Sequence, residues 1–136
     1  MFLFNQCLFN FGKTIVEYFV NRGHTEIATI AGDVTTQAGL FRLEGFKEGL
    51  QKHNIKLSKQ NVTFGNFLRT PARAAAKKLL SLKNRPTAIF AASDVMALEV
   101  LDVARSLSIS VTNELSIIGF DDNTLILSSA VPLTTV

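Results

Sequence analysis

Apolar and polar positions alternate along the chain in two different periods, and the period changes several times. Lys13 to Arg22 carries Ile15, Val16, Phe19 and Val20 at the spacing of one helical face, and Gly23 follows as a natural terminator. Glu26 to Ala31 is a short strand-like run closed by Gly32-Asp33. Thr35 or Thr36 caps the next helix, which turns Leu40, Leu43, Phe46 and Leu50 towards a core. Asn61 to Phe64 reads as a second strand. Thr70-Pro71 then opens a helix, with the hydroxyl as cap, running through Ala74, Ala75 and Leu79 to about Leu82. Thr87 to Ala91 has the pattern of a buried strand, and Ser93 starts a helix carrying Met96, Val100, Leu101 and Ala104. Leu115 to Phe120 is a continuous apolar strand ending in Asp121-Asp122-Asn123. Leu133 to Val136 is a last extended piece after Pro132.

Strands alternating with helices imply right-handed crossovers and a doubly wound, mostly parallel α/β sheet. Ligands of such sheets sit outside the carboxyl ends of the strands. The loops at that edge are Gly32 to Gly39, Phe64 to Thr70, Ala92 to Asp94 and Asp121 to Asn123.

The first eleven residues, MFLFNQCLFNF, are apolar but too short to span a bilayer, and they lack the early positive charge of a targeting segment. They read as the stump of a strand and its following loop. A start this rich in phenylalanine is expected to be covered by something.

Composition narrows the function. A hydrophobic share of 47% with 18% charged residues describes an ordered α/β chain of 136 residues. The formal charge of +3 is spread out, with no basic run longer than Lys77-Lys78, so direct nucleic-acid binding by this chain is not indicated. Cys7 is the only cysteine, and His24 and His53 lack ligand-like spacing, so neither a disulfide nor a structural metal is expected. No G-x-S-x-G elbow, phosphate-binding G-x-x-x-x-G-K-[ST] or dinucleotide-binding G-x-G-x-x-G is present. A phosphoacceptor receiver would need an acidic pair after an early strand and a lysine after a late one. Here the acidic pair Asp121-Asp122 ends the last full strand. No catalytic residue and no cofactor is expected.

Several residues at the carboxyl edge can bind. The fixed fork of Arg42 can grip vicinal hydroxyls or a carboxylate; the alternative is a surface arginine paired with Glu44 or Glu48. Asp121 can accept two hydrogen bonds from sugar hydroxyls, or it simply builds a turn with Asp122 and Asn123. Ser93 and Asp94 open a helix at this edge, although a capping serine and an acidic first turn stabilise any helix. Phe67 is either a flat stacking surface for a sugar or base, or part of the core's rim.

Five blocks of the chain, in order, resemble the LacI/GalR family of bacterial transcription regulators. Gly23-His24-Thr25-Glu26-Ile27-Ala28-Thr29-Ile30-Ala31-Gly32 is similar to its "GH..IA.I.G" segment, and Arg42-Leu43-Glu44-Gly45-Phe46 to its "R..GF" helix. Pro86 to Asp94 with Met96-Ala97-Leu98 resembles "PTAIFA.ND.MALG". Ser116 to Asp122 resembles "S.IGFDD", and Leu133-Thr134-Thr135-Val136 resembles "LTTV". The chain departs from the pattern at Ser93 for asparagine, Glu99 for glycine and Thr112 for proline.

The resemblance implies a two-lobed, periplasmic-binding-protein-like sensor, each lobe a flavodoxin-like three-layer α/β/α unit. A helix-turn-helix head usually precedes it and binds DNA as a dimer. The effector, often a sugar or nucleobase, lies between the lobes. Arg42 and Asp121 then become ligand contacts, with Ser93, Phe67 and Thr36 lining the cleft and Asp94 holding its loop. On this reading residues 1–25 are a remnant of the first lobe, 26–130 are the second lobe, and 131–136 begin the crossover back. The expected partners are a small polar effector and a second copy of the chain, joined through the helix after Ser93. DNA is expected to be reached only through a domain outside this chain, the location to be cytoplasmic, and no membrane to be involved. A sugar-binding protein of a transport system and an inactive truncated product are the alternatives.

Overall fold

The computed structural model describes residues 2–111, 113–120 and 130–132. The elements in chain order are α1 (Phe2–Asn21), β1 (Ile27–Ala31), α2 (Gln37–Lys52), β2 (Val62–Phe64), α3 (Arg69–Leu80), β3 (Ala88–Ala91), α4 (Asp94–Ser106), β4 (Ser116–Phe120) and β5 (Ala130–Pro132). They form a 5-stranded sheet in the order β2-β1-β3-β4-β5. The first four strands are parallel, and β5 runs antiparallel to β4. This is the doubly wound order of flavodoxin-like folds.

The alternation of side chains along each strand splits the core in two. Ala28 and Ile30 of β1, Ile89 and Ala91 of β3 and Ile117 of β4 pack beneath α3 and α4. Ile27, Ala88, Phe90 and Ile118 point the opposite way, against Ile15, Val16 and Phe19 of α1 and Phe46 and Leu50 of α2. Both faces are covered, which explains why these strands read as continuous apolar runs. Thr29 of β1 and Ser116 of β4 are polar exceptions, and the Thr29 hydroxyl donates to the Phe90 carbonyl at 2.8 Å.

The structure corrects the reading of the amino-terminal run. Residues from Phe2 are helical and continuous with the predicted helix, so α1 is one element of 20 residues rather than a strand stump and a helix. Leu8 lies on the same buried stripe as Ile15, Val16 and Phe19, and a short apolar run carries no period that separates strand from helix by itself. A boundary at residue 25 does not divide α1 from the core, because its buried face is part of that core. The helix lies close on α2: a Cβ at Gly45 would overlap the Phe9 carbonyl, and one at Gly12 would stand 2.6 Å from the Arg42 carbonyl.

Other boundaries shift for local reasons. The α3 helix starts at Arg69 with Leu68 as its cap residue and no side-chain capping bond, not at a Thr70 cap. Pro71 still lies in the first turn, where its missing N–H has no intrahelical partner to lose. Leu40 is 39% exposed instead of facing the core, because it sits at the margin of the stripe formed by Leu43, Phe46 and Leu50. Gly23 has φ +89° and closes α1 as its position predicts. Val131 and Pro132, read as the start of a crossover, pair instead with Gly119 and Ile118 and so occupy the open edge of β4. The extended piece 133–136 lies outside the described residues.

Candidate functional site

The carboxyl ends of β1, β2, β3 and β4 share one edge of the sheet, and three of the predicted site residues, Thr36, Phe67 and Ser93, stand in the loops that leave it. The loop after β1 is shaped by Asp33. Its carboxylate accepts the Thr35 N–H at 2.9 Å and the Thr35 hydroxyl at 2.6 Å. Those bonds favour the ionised form and hold its pKa below the usual carboxylate value. Thr36 is the N-cap of α2: its hydroxyl accepts from the Gly39 N–H at 3.1 Å and donates to the Asp33 carbonyl at 2.6 Å. Its side chain is thus committed to the helix start, on the exposed rim of the edge.

Arg42 reaches this edge from α2. It is only 3% exposed. Its Nη1 donates to the Ala92 carbonyl at 2.6 Å, immediately before Ser93. The guanidinium carbon lies 3.9 Å from the centroid of the Phe120 ring and 5.4 Å from that of Phe67. Glu44 pairs with Lys47, at 3.8 Å. The alternative of a solvated surface arginine therefore fails: Arg42 is a buried cation anchored to a loop carbonyl and flanked by aromatic faces.

Phe67 and its predecessor Asn66 both stand in the left-handed region, with φ 63° and 55°. Gly65 and Asn66 donate to the single Ala31 carbonyl at 2.8 and 3.3 Å, which folds this loop back over the end of β1. The Phe67 ring then presses on Gly32 so closely that any Cβ there would overlap it. Phe67 is partly buried against the core's rim, and its ring centroid lies 5.4 Å from the Arg42 guanidinium carbon.

Ser93 is buried and caps α4, accepting the Met96 N–H at a long 3.4 Å. Asp94, in the first turn of α4, packs against the backbone of β4: a Cβ at Gly119 would lie 2.8 Å from its Oδ1. Gly119 therefore makes room for the Asp94 carboxylate, in keeping with a role in holding the loop. Asp121 lies outside the described residues.

The structure thus gathers Arg42, Phe67 and the Ala92-Ser93 turn, with Thr36 on the rim and Asp94 behind. It adds two residues that sequence reasoning missed. Phe120 alternates with Ile118 onto the α2 face of the sheet, which was a usable signal for its meeting with Arg42. Phe11 of α1 meets the Phe120 ring edge-on at 4.7 Å, and the sequence carried no signal for it because that stretch read as loop. Among the described residues no group of three or more His, Cys, Asp and Glu could hold a metal ion. No helix there is long and apolar enough to cross a membrane. What the site offers is hydrogen-bond donors of fixed direction beside flat apolar surface, suited to a small oxygen-rich molecule.

Comparison with known proteins agrees with this architecture. A family model described as a periplasmic binding protein-like domain matches residues 16–136. The HTH-type transcriptional repressor PurR of Vibrio vulnificus is 34% identical over 125 residues, covering 92% of this chain and 37% of that protein. The HTH-type transcriptional regulator DegA of Bacillus subtilis is 37% identical over 125 residues, with the same coverage of 92% and 37%. Among solved structures, a complex of the transcriptional regulator CelR with cellobiose superposes with a TM-score of 0.81 at 33% identity, covering 87% of this chain and 36% of that one. The chain spans little more than a third of the length of these relatives, about 37%.

Proposed function

Because the chain belongs to the periplasmic binding protein-like family, in the LacI/GalR type of transcription regulator, we propose that it forms one wall of an effector-sensing site. The observation that carries this reading is Arg42. It is 3% exposed, donates to the Ala92 carbonyl and is flanked by the Phe120 and Phe67 rings, so its fork is held in one direction at the carboxyl edge of the sheet. Its fork suits vicinal hydroxyls, so the ligand class is a sugar or a similarly oxygen-rich molecule. Asp121, next in the sequence after Phe120, is assigned the acceptors on the strength of the sequence alone, Phe67 a stacking face, Ser93 a hydroxyl, and Thr36 the rim. Asp94 orders the turn behind them. The cellobiose seen with CelR is that protein's ligand and here serves only as an example of the class.

In this reading the ligand is bound and released unchanged, with no reaction, metal or cofactor. Its binding energy shifts an equilibrium that a DNA-binding head reads out, in the cytoplasm. A second copy of the chain packs on the outer face of α4. There Val95 and Leu98 are 45% and 51% exposed.

Thermal unfolding of the chain with millimolar sugars and nucleosides tests the proposal. A ligand of the folded form raises the midpoint. The expected result is a shift with at least one sugar that is lost in Arg42→Lys, whose circular dichroism stays native. Cooperative unfolding with no shift across the panel, or a shift unchanged in Arg42→Lys, overturns recognition by this wall.

A further inference from the structure

Among the described residues, the sheet edge farthest from β5 is open. There strand β2 pairs only with β1, and beside it runs a groove of about 760 Å³ between α2 and α3. Phe64, 47% exposed, forms part of its floor, and Ala74 and Ala75 of α3 leave one wall low. The Gly65 N–H bonds to the Ala31 carbonyl at 2.8 Å. Alternation along the strand therefore turns the Phe64 N–H away from β1, towards the groove. Three lysines border the groove, Lys47, Lys59 and Lys78, and among the described residues no acidic one lines it. Lys47 has one distant contact, 3.8 Å to Glu44, with both side chains nearly half exposed, so its charge remains available.

We propose that this edge is a docking site for an extended, acidic segment of another protein, which joins the sheet beside β2. Its main chain pairs with the Phe64 N–H and with the Val62 and Phe64 carbonyls, since the Val62 N–H is already bonded to the Lys59 carbonyl. Alternate apolar side chains settle over Phe64 and Ala74, and carboxylates meet the lysines. A second copy of this chain fits poorly, because pairing two β2 edges brings the same three lysines from each copy together. Lysines are a common guard of open edges. Here that guard repels a like copy and favours a chain of opposite charge. The groove is separate from the Arg42 site, at the side of the sheet rather than its carboxyl edge, and the proposal stands whether or not that site senses a sugar.

The test uses the full chain, isotopically labelled, and two short blocked peptides, one alternating glutamate with valine and one alternating lysine with valine. Amide NMR should show the glutamate peptide perturbing Val62 to Gly65 and binding at least about tenfold tighter than the lysine peptide, with the preference fading at high salt. In the double variant Lys47→Glu/Lys78→Glu, both changes on exposed positions, the order of preference should reverse. N-methylating alternate residues of the glutamate peptide should abolish binding, which a purely electrostatic contact would survive. Absence of shifts at β2, equal binding of the two peptides, survival of binding by the methylated peptide, or shifts at β2 that follow protein concentration alone would each overturn the proposal. The last of these would mean that a second copy occupies the edge.

Discussion

The outer edge of the Phe67 ring presses on Gly32, at the point where β1 gives way to its loop, and leaves no room for a side chain there. Phe67 holds this place from a left-handed backbone, φ 63°, that a bulky residue adopts only when its surroundings demand it. Glycine at position 32 is therefore a steric condition for the aromatic wall beside Arg42. Gly32→Ala should displace the ring and lower stability by about 1–3 kcal/mol. In the double variant Gly32→Ala/Phe67→Ala the two losses should be markedly less than additive, as measured by urea unfolding. Additive losses would show that the contact does not matter.

Arg42 contributes to the fold as well as to the site. Arg42→Ala removes the charged donor from the buried Ala92 carbonyl and the cation from the Phe120 face. The expected cost is about 2–3 kcal/mol in urea unfolding. Arg42→Lys keeps a charge but not the planar fork, so its stability should fall between the two. A wild-type midpoint in Arg42→Ala would contradict the anchoring role.

Gly45 decides how closely α1 approaches α2. Alanine is the better helix former by about 1 kcal/mol, yet its Cβ at position 45 would overlap the Phe9 carbonyl. The clash should win, with Gly45→Ala less stable by about 1–3 kcal/mol in thermal unfolding followed by circular dichroism. A gain in stability would mean that α1 does not pack on α2 in solution.

His24 links the starts of two strands' loops at the opposite edge of the sheet. Its Nδ1 lies 2.8 Å from the Thr87 hydroxyl and its Nε2 3.2 Å from that of Ser116. Partial burial, and to a lesser degree the charge of Arg22, lower its pKa below the ordinary 6.5. The unfolded chain therefore takes up this proton more readily than the folded one. Stability should be full above about pH 6.5 and fall as the pH drops from there through the folded-state pKa. Urea midpoints between about pH 5 and 8 should show a slope that His24→Gln flattens. An unchanged slope would assign the effect to other groups.

Much of the fold was legible in the pattern. Ile27 to Ala31, Ala88 to Ala91 and Ile117 to Phe120 are apolar except for Thr29 because helices cover both faces of the sheet, and the intervening helices carry a 3.6-residue stripe. Thr36 and Ser93 were readable as caps because capping depends on one side chain and the next few backbone N–H groups. Arg42, Phe67 and Ser93 could be nominated because loops after parallel strands converge on one edge.

The contacts between distant residues were a different matter. The helix over residues 2–11 fits against the core because Gly45 of α2 admits the Phe9 backbone, more than thirty positions away. That Arg42 is a buried cation rather than a surface one depends on the Ala92 carbonyl and the Phe120 ring, which come from two other strand ends. Local period and capping chemistry act over a few residues, so the sequence alone determined the elements from β1 to β4 and their order. Close approach and burial are properties of pairs brought together by the finished sheet, so only the tertiary structure decided which faces meet and what stands around Arg42.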